Sequence, residues 1–146
     1  MSVTADLYVE VKNFYARQMR VLDDLDIEQF TATFTEDGSV AHPHRGEKVE
    51  GREAMRAKMT SMLPMYEGLV TRHWFDHFLI EPAGAAGDDG LRVTYYSLVT
   101  QTDTEDEMRF FSSSSVEDRM VRDEKGELRI RERVIHRDNP RHGRVI

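Results

Sequence analysis

The spacing of the apolar residues changes from a helical to a strand-like period near residue 69, and this change constrains the fold more than any other feature. In the first third, one helical face is formed by Leu7, Val11, Phe14, Tyr15 and Leu22. Later on, β-branched and aromatic residues dominate the segments 69–81, 91–102, 107–122 and 127–137. The sequence therefore predicts helices followed by a long-stranded sheet.

A short second helix is predicted after "RVLDDLD". Asp26 has the position of its cap, and Gln29 is the capping-box partner three residues later. Phe30 and Phe34 form its buried edge. The sequence "TEDG" is predicted to end this helix, because Gly38 can take the positive φ of a terminating turn.

The sequence next predicts a short strand at 39–42, a loop at "HRGE" and a third helix. The third helix runs from about Arg52 to Leu63, and Pro64 lies where it cannot continue the hydrogen-bond ladder. Its apolar side carries Met55, Met59, Met62 and Leu63. Methionine is flexible core filling in most proteins, and it also suits a pocket for a flat polycyclic compound.

The four long segments are separated by "PAGAAGDDG", "DTED" and "DEKG", which are turn-forming sequences. They predict an antiparallel meander. Three N-terminal helices and a mostly antiparallel sheet indicate a single α+β domain over residues 1–146, with the helices on one face of a curved sheet.

Composition excludes several classes of function. A net charge of −7 disfavours a nucleic-acid partner and an anionic membrane surface. No apolar run reaches the ~20 residues that span a bilayer. The N-terminal "MSVTADLYVEVK" lacks the basic and apolar regions of a signal peptide, and no cysteine is present for disulfides or thiolates. We therefore expect a cytoplasmic protein.

The stretch "GLVTRHWFDHFLIEP" carries His73 and His77 four residues apart. In a strand they would lie roughly 13 Å apart, too far to share a metal unless a bulge intervenes. Because side chains alternate along a strand, one face carries Thr71, His73, Phe75, His77 and Leu79. The other face carries Val70, Arg72, Trp74, Asp76 and Phe78. The second face is too aromatic for water, so we expect it to meet a second copy in a C₂ homodimer.

The order of elements, together with "LDDLDIEQFTATFTEDGSV", "VEGREAMRAKM" and "VTRHWF", resembles the nuclear-transport-factor-2-like superfamily, in its SnoaL-like and scytalone-dehydratase-like branch. The resemblance covers nearly the whole chain. It implies a cone-shaped fold with an apolar pocket. Members include dehydratases, isomerases and cyclases of polyketide pathways, and also non-catalytic small subunits of ring-hydroxylating oxygenases, so fold alone does not select a function.

The resemblance implies roles for three residues. "TRH" places His73 where scytalone-dehydratase-like members have a histidine, and Asp23 matches an acid before the second helix. His42 stands near a position where the family often has a tyrosine. Independently of the family, a partly desolvated imidazole beside Phe75 would stay neutral and accept a proton near pH 7. The alternatives are a core histidine for His73 and a solvated or capping carboxylate for Asp23.

Two further side chains are candidate acids. The second long strand has no acidic residue or histidine, although elimination of water needs both a base and an acid. Its Tyr95, Ser97 and Gln101 share a face and are possible hydrogen-bond donors. On the last strand, Glu132 interrupts the apolar face of Leu128, Ile130 and Val134, whereas Arg129, Arg131 and Arg133 form the other face. Glu132 would be a general acid with a raised pKa, or else ion-paired with an arginine.

The leading hypothesis is a cofactor-independent dehydratase, isomerase or cyclase of secondary metabolism. His73 is the base, Asp23 orients it, and Tyr95 or Glu132 donates to the substrate oxygen. We expect a small hydrophobic or aromatic substrate, bound by His42, Tyr15, Phe75, Met59, Leu63 and Gln101. A metal at His42, His44 and Glu47 is a minor alternative. The main alternative is a non-catalytic binding or accessory subunit with an oxygenase partner.

Overall fold

The computed structural model describes residues 3–84 and 90–142. It has an α+β architecture with a six-stranded curved sheet in the order β2-β1-β6-β5-β4-β3. The strands are β1 (Phe34–His42), β2 (Glu47–Glu50), β3 (Val70–Pro82), β4 (Leu91–Thr102), β5 (Met108–Arg122) and β6 (Leu128–Arg137). All neighbouring pairs are antiparallel except β1 and β6, which are parallel. The predicted four-strand meander is confirmed.

The helices are α1 (Ala5–Asp23), α2 (Ile27–Thr31) and α3 (Arg52–Met62). Short 3₁₀ turns cover Pro43–Arg45, Leu63–Tyr66 and Pro140–His142. The expectation of three helices ahead of the sheet is not confirmed, because α3 follows β1 and β2 along the chain. Among the described residues, none of the helices combines the length and the apolar character needed to cross a membrane.

Local sequence explains where α1 and α2 begin. The Thr4 hydroxyl accepts from the Leu7 N–H at 3.1 Å and caps α1. Asp26 caps α2, because its carboxylate accepts from the Gln29 N–H at 3.1 Å and from the Gln29 amide at 3.0 Å. The predicted cap of the second helix is therefore confirmed. The reciprocal bond differs from a capping box, since Gln29 contacts the carboxylate of Asp26.

Strand β1 begins earlier than predicted. The sequence "TEDG" was expected to end the second helix, but it lies within β1, and Phe34 is the first residue of the strand. Gly38 has no positive φ. A Cβ there would lie 3.0 Å from the Phe34 Cβ and 3.0 Å from the Thr35 carbonyl oxygen, so glycine allows a close backbone approach. The strand β2 was not predicted.

One apolar core lies between the helices and the concave face of the sheet. The buried face of α1 contributes Val11, Phe14, Tyr15 and Met19, with Leu7 and Leu22 packed at its ends. This is the predicted helical stripe. The strands contribute buried residues such as Val93, Val116, Met120 and Ile130. Burial of this apolar surface is the main favourable term in folding.

Candidate functional site

A cavity of about 430 Å³ opens between α3 and the concave face of the sheet. This volume is typical of a site for a small organic ligand. Five of the six predicted ligand-binding residues line it: His42, Met59, Leu63, Phe75 and Gln101. Most of the remaining wall is aliphatic, aromatic or methionine side chain, so a ligand there would be largely removed from water.

His73 and Asp23 meet at the wall of this cavity. The His73 Nδ1 atom lies 2.7 Å from Asp23 Oδ1, and the His73 backbone N–H donates to Asp23 Oδ2 at 3.3 Å. Asp23 is the last residue of α1, and its side chain is 7% exposed, against 21% for His73. Because a carboxylate only accepts, Nδ1 carries the proton and donates. The Nε2 atom of the neutral ring is then the basic nitrogen.

The two predicted tyrosines lie deeper than expected. Tyr15 and Tyr95 are 2% and 1% exposed, and both hydroxyls donate to Asp118 Oδ2, at 2.7 and 2.8 Å. Burial raises the pKa of both phenols well above the usual value, so both stay protonated. Neither belongs to the cavity wall among the described residues. The predicted contact of Tyr15 with a ligand and the predicted donation by Tyr95 therefore have no support in this geometry, because both hydroxyls donate to Asp118.

Glu132 was predicted on the apolar face of the last strand, and this placement is wrong. Arg119 pairs with Glu132 and Met120 with Ile130, so Arg131 is an extra residue on β6. This bulge reverses the alternation beyond it. Glu132 is consequently exposed and lies opposite Arg119, away from the cavity, whereas Arg133 turns inward. Alternation predicts Arg133 on the solvated face of β6, but Arg133 is buried in the structure.

A second bulge corrects the prediction for β3. Asp76 pairs with Tyr96 and Leu79 with Thr94, so β3 gains one residue near His77, whose φ is +63°. Before the bulge, the two faces of β3 are as predicted, with His73 and Phe75 on the inner face and Trp74 on the outer face. After it Phe78 is buried and His77 and Leu79 are exposed. Phe78 therefore belongs to the core and not to the outer aromatic face.

Arg133 and Asp118 form a buried ion pair that the sequence reasoning did not identify. Arg133 Nε donates to Asp118 Oδ1 at 2.9 Å, and Nη2 donates to Asp118 Oδ2 at 2.9 Å and to Gln18 Oε1 at 2.7 Å. Burial is the largest single effect and lowers the pKa of the guanidinium, but the Asp118 charge and hydrogen bond, together with Tyr95 and Tyr15, outweigh it and the pKa is raised. The sequence contains a signal for the burial of Asp118, because Asp118 lies in alternation with the apolar residues Val116 and Met120. Arg133 had none, because a bulge precedes it.

Arg133 also reaches the cavity wall. With Nε and Nη2 engaged, its Nη1 has no hydrogen-bond partner within residues 3–84 and 90–142. The guanidinium lies 5.7 Å from the centre of the Phe75 ring, and the His73 ring lies 6.4 Å from the same ring. A basic nitrogen and a fixed cationic donor therefore occupy neighbouring parts of one apolar cavity.

His42 lies across the cavity from the sheet's β3 edge, on β1. Burial, reinforced by the nearby Arg45 charge, lowers its pKa to about 4, and its Nδ1 atom is buried with no hydrogen-bond partner among the residues that the structure describes. The His42 and His44 rings are 5.8 Å apart and nearly perpendicular. Within the described ranges, no three His, Asp or Glu side chains are grouped to hold a metal ion. His42 is thus a neutral imidazole on the wall of the cavity.

The depressed pKa of His42 predicts a pH dependence of stability. Below pH 6.5 the unfolded chain binds a proton at His42 that the folded chain binds only near pH 4, so acidification favours unfolding. When the pH falls from 6.5 to 4, the free energy of unfolding should drop by about 1–2 kcal/mol more in the wild type than in His42→Gln. This range allows for solvent screening, because the ring is partly exposed. Urea denaturation of both proteins across this window measures it. Parallel pH curves would contradict the prediction.

Comparisons with known proteins give the family. A family model described as "SnoaL-like domain" matches residues 3–134. Aln2 from a Streptomyces species is 36% identical, with coverage of 94% of this chain and 95% of Aln2, and a TM-score of 0.84. ActVI-ORFA from Streptomyces coelicolor is 33% identical, with coverage of 92% and 98% and a TM-score of 0.83.

A third structure, a protein from Catenulispora acidiphila in complex with S-DNPA, is 30% identical over 97% of this chain and 100% of that one, with a TM-score of 0.83. At 20% identity and a TM-score of 0.71, an NTF2-like protein with a cystatin-like fold from Novosphingobium aromaticivorans shares the fold, with coverage of 89% and 80%. No curated protein sequence matches significantly. The match over residues 3–134 and these relatives show that the chain belongs to the SnoaL-like domain family, within the nuclear-transport-factor-2-like fold.

Proposed function

We propose that this protein is a cofactor-independent enzyme that moves a proton next to a carbonyl group of an aromatic or polyketide-type small molecule. The observation that carries this proposal is the His73–Asp23 pair at the wall of an apolar cavity. The relative from Catenulispora acidiphila was solved in complex with S-DNPA, and this supports a small-molecule ligand for this protein as well.

His73 acts as the base. Its Nε2 atom accepts the proton from the carbon next to the carbonyl, the electron pair of that C–H bond forms a C=C bond, and the π pair of the carbonyl moves to the oxygen to give an enolate. Asp23 is a positioning residue, because it holds the ring by two hydrogen bonds and stabilises the imidazolium that forms. The protonated ring then returns the proton to another carbon, or to a departing hydroxyl that leaves as water.

Arg133 replaces Tyr95 and Glu132 as the group that stabilises the oxygen. Its Nη1 donates to the enolate oxygen from a position fixed by Asp118 and Gln18. A donor held in place before the reaction needs no reorganisation when the charge develops. The ion pair with Asp118 also limits the cost of keeping this cation in an apolar environment.

Proton exchange on a model ketone tests the proposal. β-Tetralone, a bicyclic aromatic ketone, has acidic protons next to its carbonyl and is small enough for the cavity. In heavy water, the purified protein alone should accelerate deuterium uptake at these positions above the buffer rate, as measured by NMR. Exchange that equals the buffer rate at saturating protein would contradict a base that works without a partner.

A non-catalytic accessory subunit is the second candidate. The side chains of β4 that line the cavity are Ser97, Val99 and Gln101, none of which is an acid or a base. The same exchange experiment separates the two candidates. An accessory protein would leave exchange unchanged on its own and would alter turnover only when an oxygenase partner is added.

We also propose a homodimer through the outer face of the sheet. Three neighbouring strands expose Trp74, Tyr96 and Phe110, which are 58%, 60% and 70% accessible. A second copy would bury this face by C₂ symmetry. Sedimentation velocity should give twice the 17.0 kDa mass of the chain, and Trp74→Glu should shift the equilibrium to monomer. A monomeric wild type would exclude this interface.

A further inference from the structure

The cavity is basic although the chain is acidic. The chain has 20 basic and 27 acidic residues. The charged side chains on the cavity wall, within the described residues, are nevertheless Arg45, Lys58, Arg109, Arg133, Arg137 and the single acid Glu47. A ligand that enters this cavity therefore meets a local excess of positive charge, which favours an anion.

Most of these cations already have carboxylate partners. Glu47 lies 3.7 Å from both Arg45 Nε and Lys58 Nζ. Asp118 pairs with Arg133. By contrast, Arg109 and Arg137 have no carboxylate within 4.0 Å in the part of the chain that the structure describes. These two arginines carry the uncompensated charge.

Arg109 and Arg137 both lie close to the ring of Phe111, which also lines the cavity. Their guanidinium carbons are 5.7 and 5.6 Å from the centre of the Phe111 ring. Arg109 Nη2 donates to Gln101 Oε1 at 2.7 Å, and Arg137 Nη2 is 3.4 Å from the Phe111 carbonyl oxygen. The nearby acid Asp138 accepts from the Ser113 hydroxyl. Within the described ranges, each arginine donates to one neutral acceptor, and its other N–H groups have no hydrogen-bond partner.

A bulge in β5 creates this arrangement. Ser112 pairs with Val99 and Phe110 with Thr100, so Phe111 is the extra residue. Because the bulge reverses the alternation, Phe110 is left on the outer side while Phe111 and Arg109 line the cavity. The two guanidinium groups and the ring thus form one surface that continues the apolar wall.

We propose that Arg109 and Arg137 bind an anionic group, a carboxylate or a phosphate ester, carried by the aromatic ligand. Phe111 contacts the adjacent apolar part of the same ligand. Guanidinium groups bind both kinds of anion through charge-assisted hydrogen bonds. This inference rests on the proposed function only for the location of the ligand, and it deepens that proposal by naming the substrate class as organic anions.

Binding of three naphthyl compounds tests the inference without any turnover. Naphthylacetate, naphthyl phosphate and the neutral naphthylacetamide share one ring system and differ in the charged group. Isothermal titration calorimetry should give the wild type at least about tenfold tighter binding to one of the anions than to the amide, the worth of about one charge-assisted hydrogen bond. The anion that binds more tightly identifies the group.

Three variants locate the preference. Arg109→Gln/Arg137→Gln should bring the ratio of anion to amide affinity close to one. Arg131→Gln is the matched control, because Arg131 is an exposed arginine on β6 away from the cavity wall. It should retain the wild-type ratio, as should Arg109→Lys/Arg137→Lys in large part. Circular dichroism confirms that the variants are folded.

The inference is overturned if neither anion binds more tightly than the amide to the wild type, or if the double glutamine variant keeps the preference. His73→Asn should retain the preference, since it removes no cation. A protein that selects anions but fails to exchange β-tetralone protons would therefore refute the proposed catalysis and leave the anion site intact. Proton exchange without a preference for anions would refute the anion site and leave the proposed catalysis intact.

Discussion

Replacing His73 with Asn should lower the rate of deuterium exchange on β-tetralone by about 10²–10⁴-fold, the usual worth of a general base. The asparagine amide can still reach the Asp23 carboxylate, so the local hydrogen bonding survives while the basic nitrogen is lost. The measurement is the NMR exchange rate at saturating protein, corrected for the buffer rate. An exchange rate of the variant within about twofold of the wild-type rate would contradict the role of His73 as the base.

His77→Asn is the matched control for this substitution. His77 lies on the same strand, is exposed, and has a φ of +63°, which asparagine tolerates better than most residues. Its exchange rate should equal that of the wild type. Asp23→Asn tests the positioning role, because ¹⁵N NMR should show the His73 proton mainly on Nδ1 in the wild type and distributed over both nitrogens in the variant.

Replacing Asp118 with Leu should lower the free energy of unfolding by about 3–5 kcal/mol, because it leaves the Arg133 guanidinium buried without a counter-charge. Both side chains are almost fully buried, at 0% and 4% exposure, so solvent screening is small. The Tyr15 and Tyr95 hydroxyls lose their acceptor in the same step. Urea denaturation followed by circular dichroism measures the loss.

The double variant Asp118→Leu/Arg133→Met separates the charge from the lost hydrogen bonds. It removes both ions and leaves the two tyrosine hydroxyls as they are in the single variant. It should therefore be more stable than Asp118→Leu by at least about 1 kcal/mol. If Asp118→Leu does not fold while the double variant does, the conclusion is the same. A double variant that is no more stable than Asp118→Leu would show that the unpaired guanidinium is not the cause.

The pattern of elements was predictable from the sequence because it depends on local periods. The helical stripe from Leu7 to Leu22, the cap at Asp26 and the four long strands all follow from residues close together in the chain. The corrections at Phe78 and Glu132 have a different origin. Each lies beyond a bulge, at His77 or Arg131, and a single extra residue reverses every later side chain. The position of a bulge depends on the partner strand, which the local sequence does not specify.

The candidate site was predictable to a similar degree. The tripeptide "TRH" and the acid in "LDDLD" identified two side chains that the structure brings to 2.7 Å. Their separation of fifty positions cannot be bridged by periodicity, and the pairing came from the resemblance to a family. Arg133 was missed because alternation placed it among solvated arginines. Its burial depends on Asp118 and Gln18, which come from other elements.

The position of β6 has a consequence for assembly of the sheet. It is the last of the described strands in chain order, yet it lies between β1 and β5 and pairs with β1 in parallel. The β3–β4–β5 meander can form from neighbouring segments, but β1 and β2 have no place in the sheet until β6 is available. During synthesis on a ribosome, the earliest strands must therefore wait for one of the latest, and closure over so long a loop is slow.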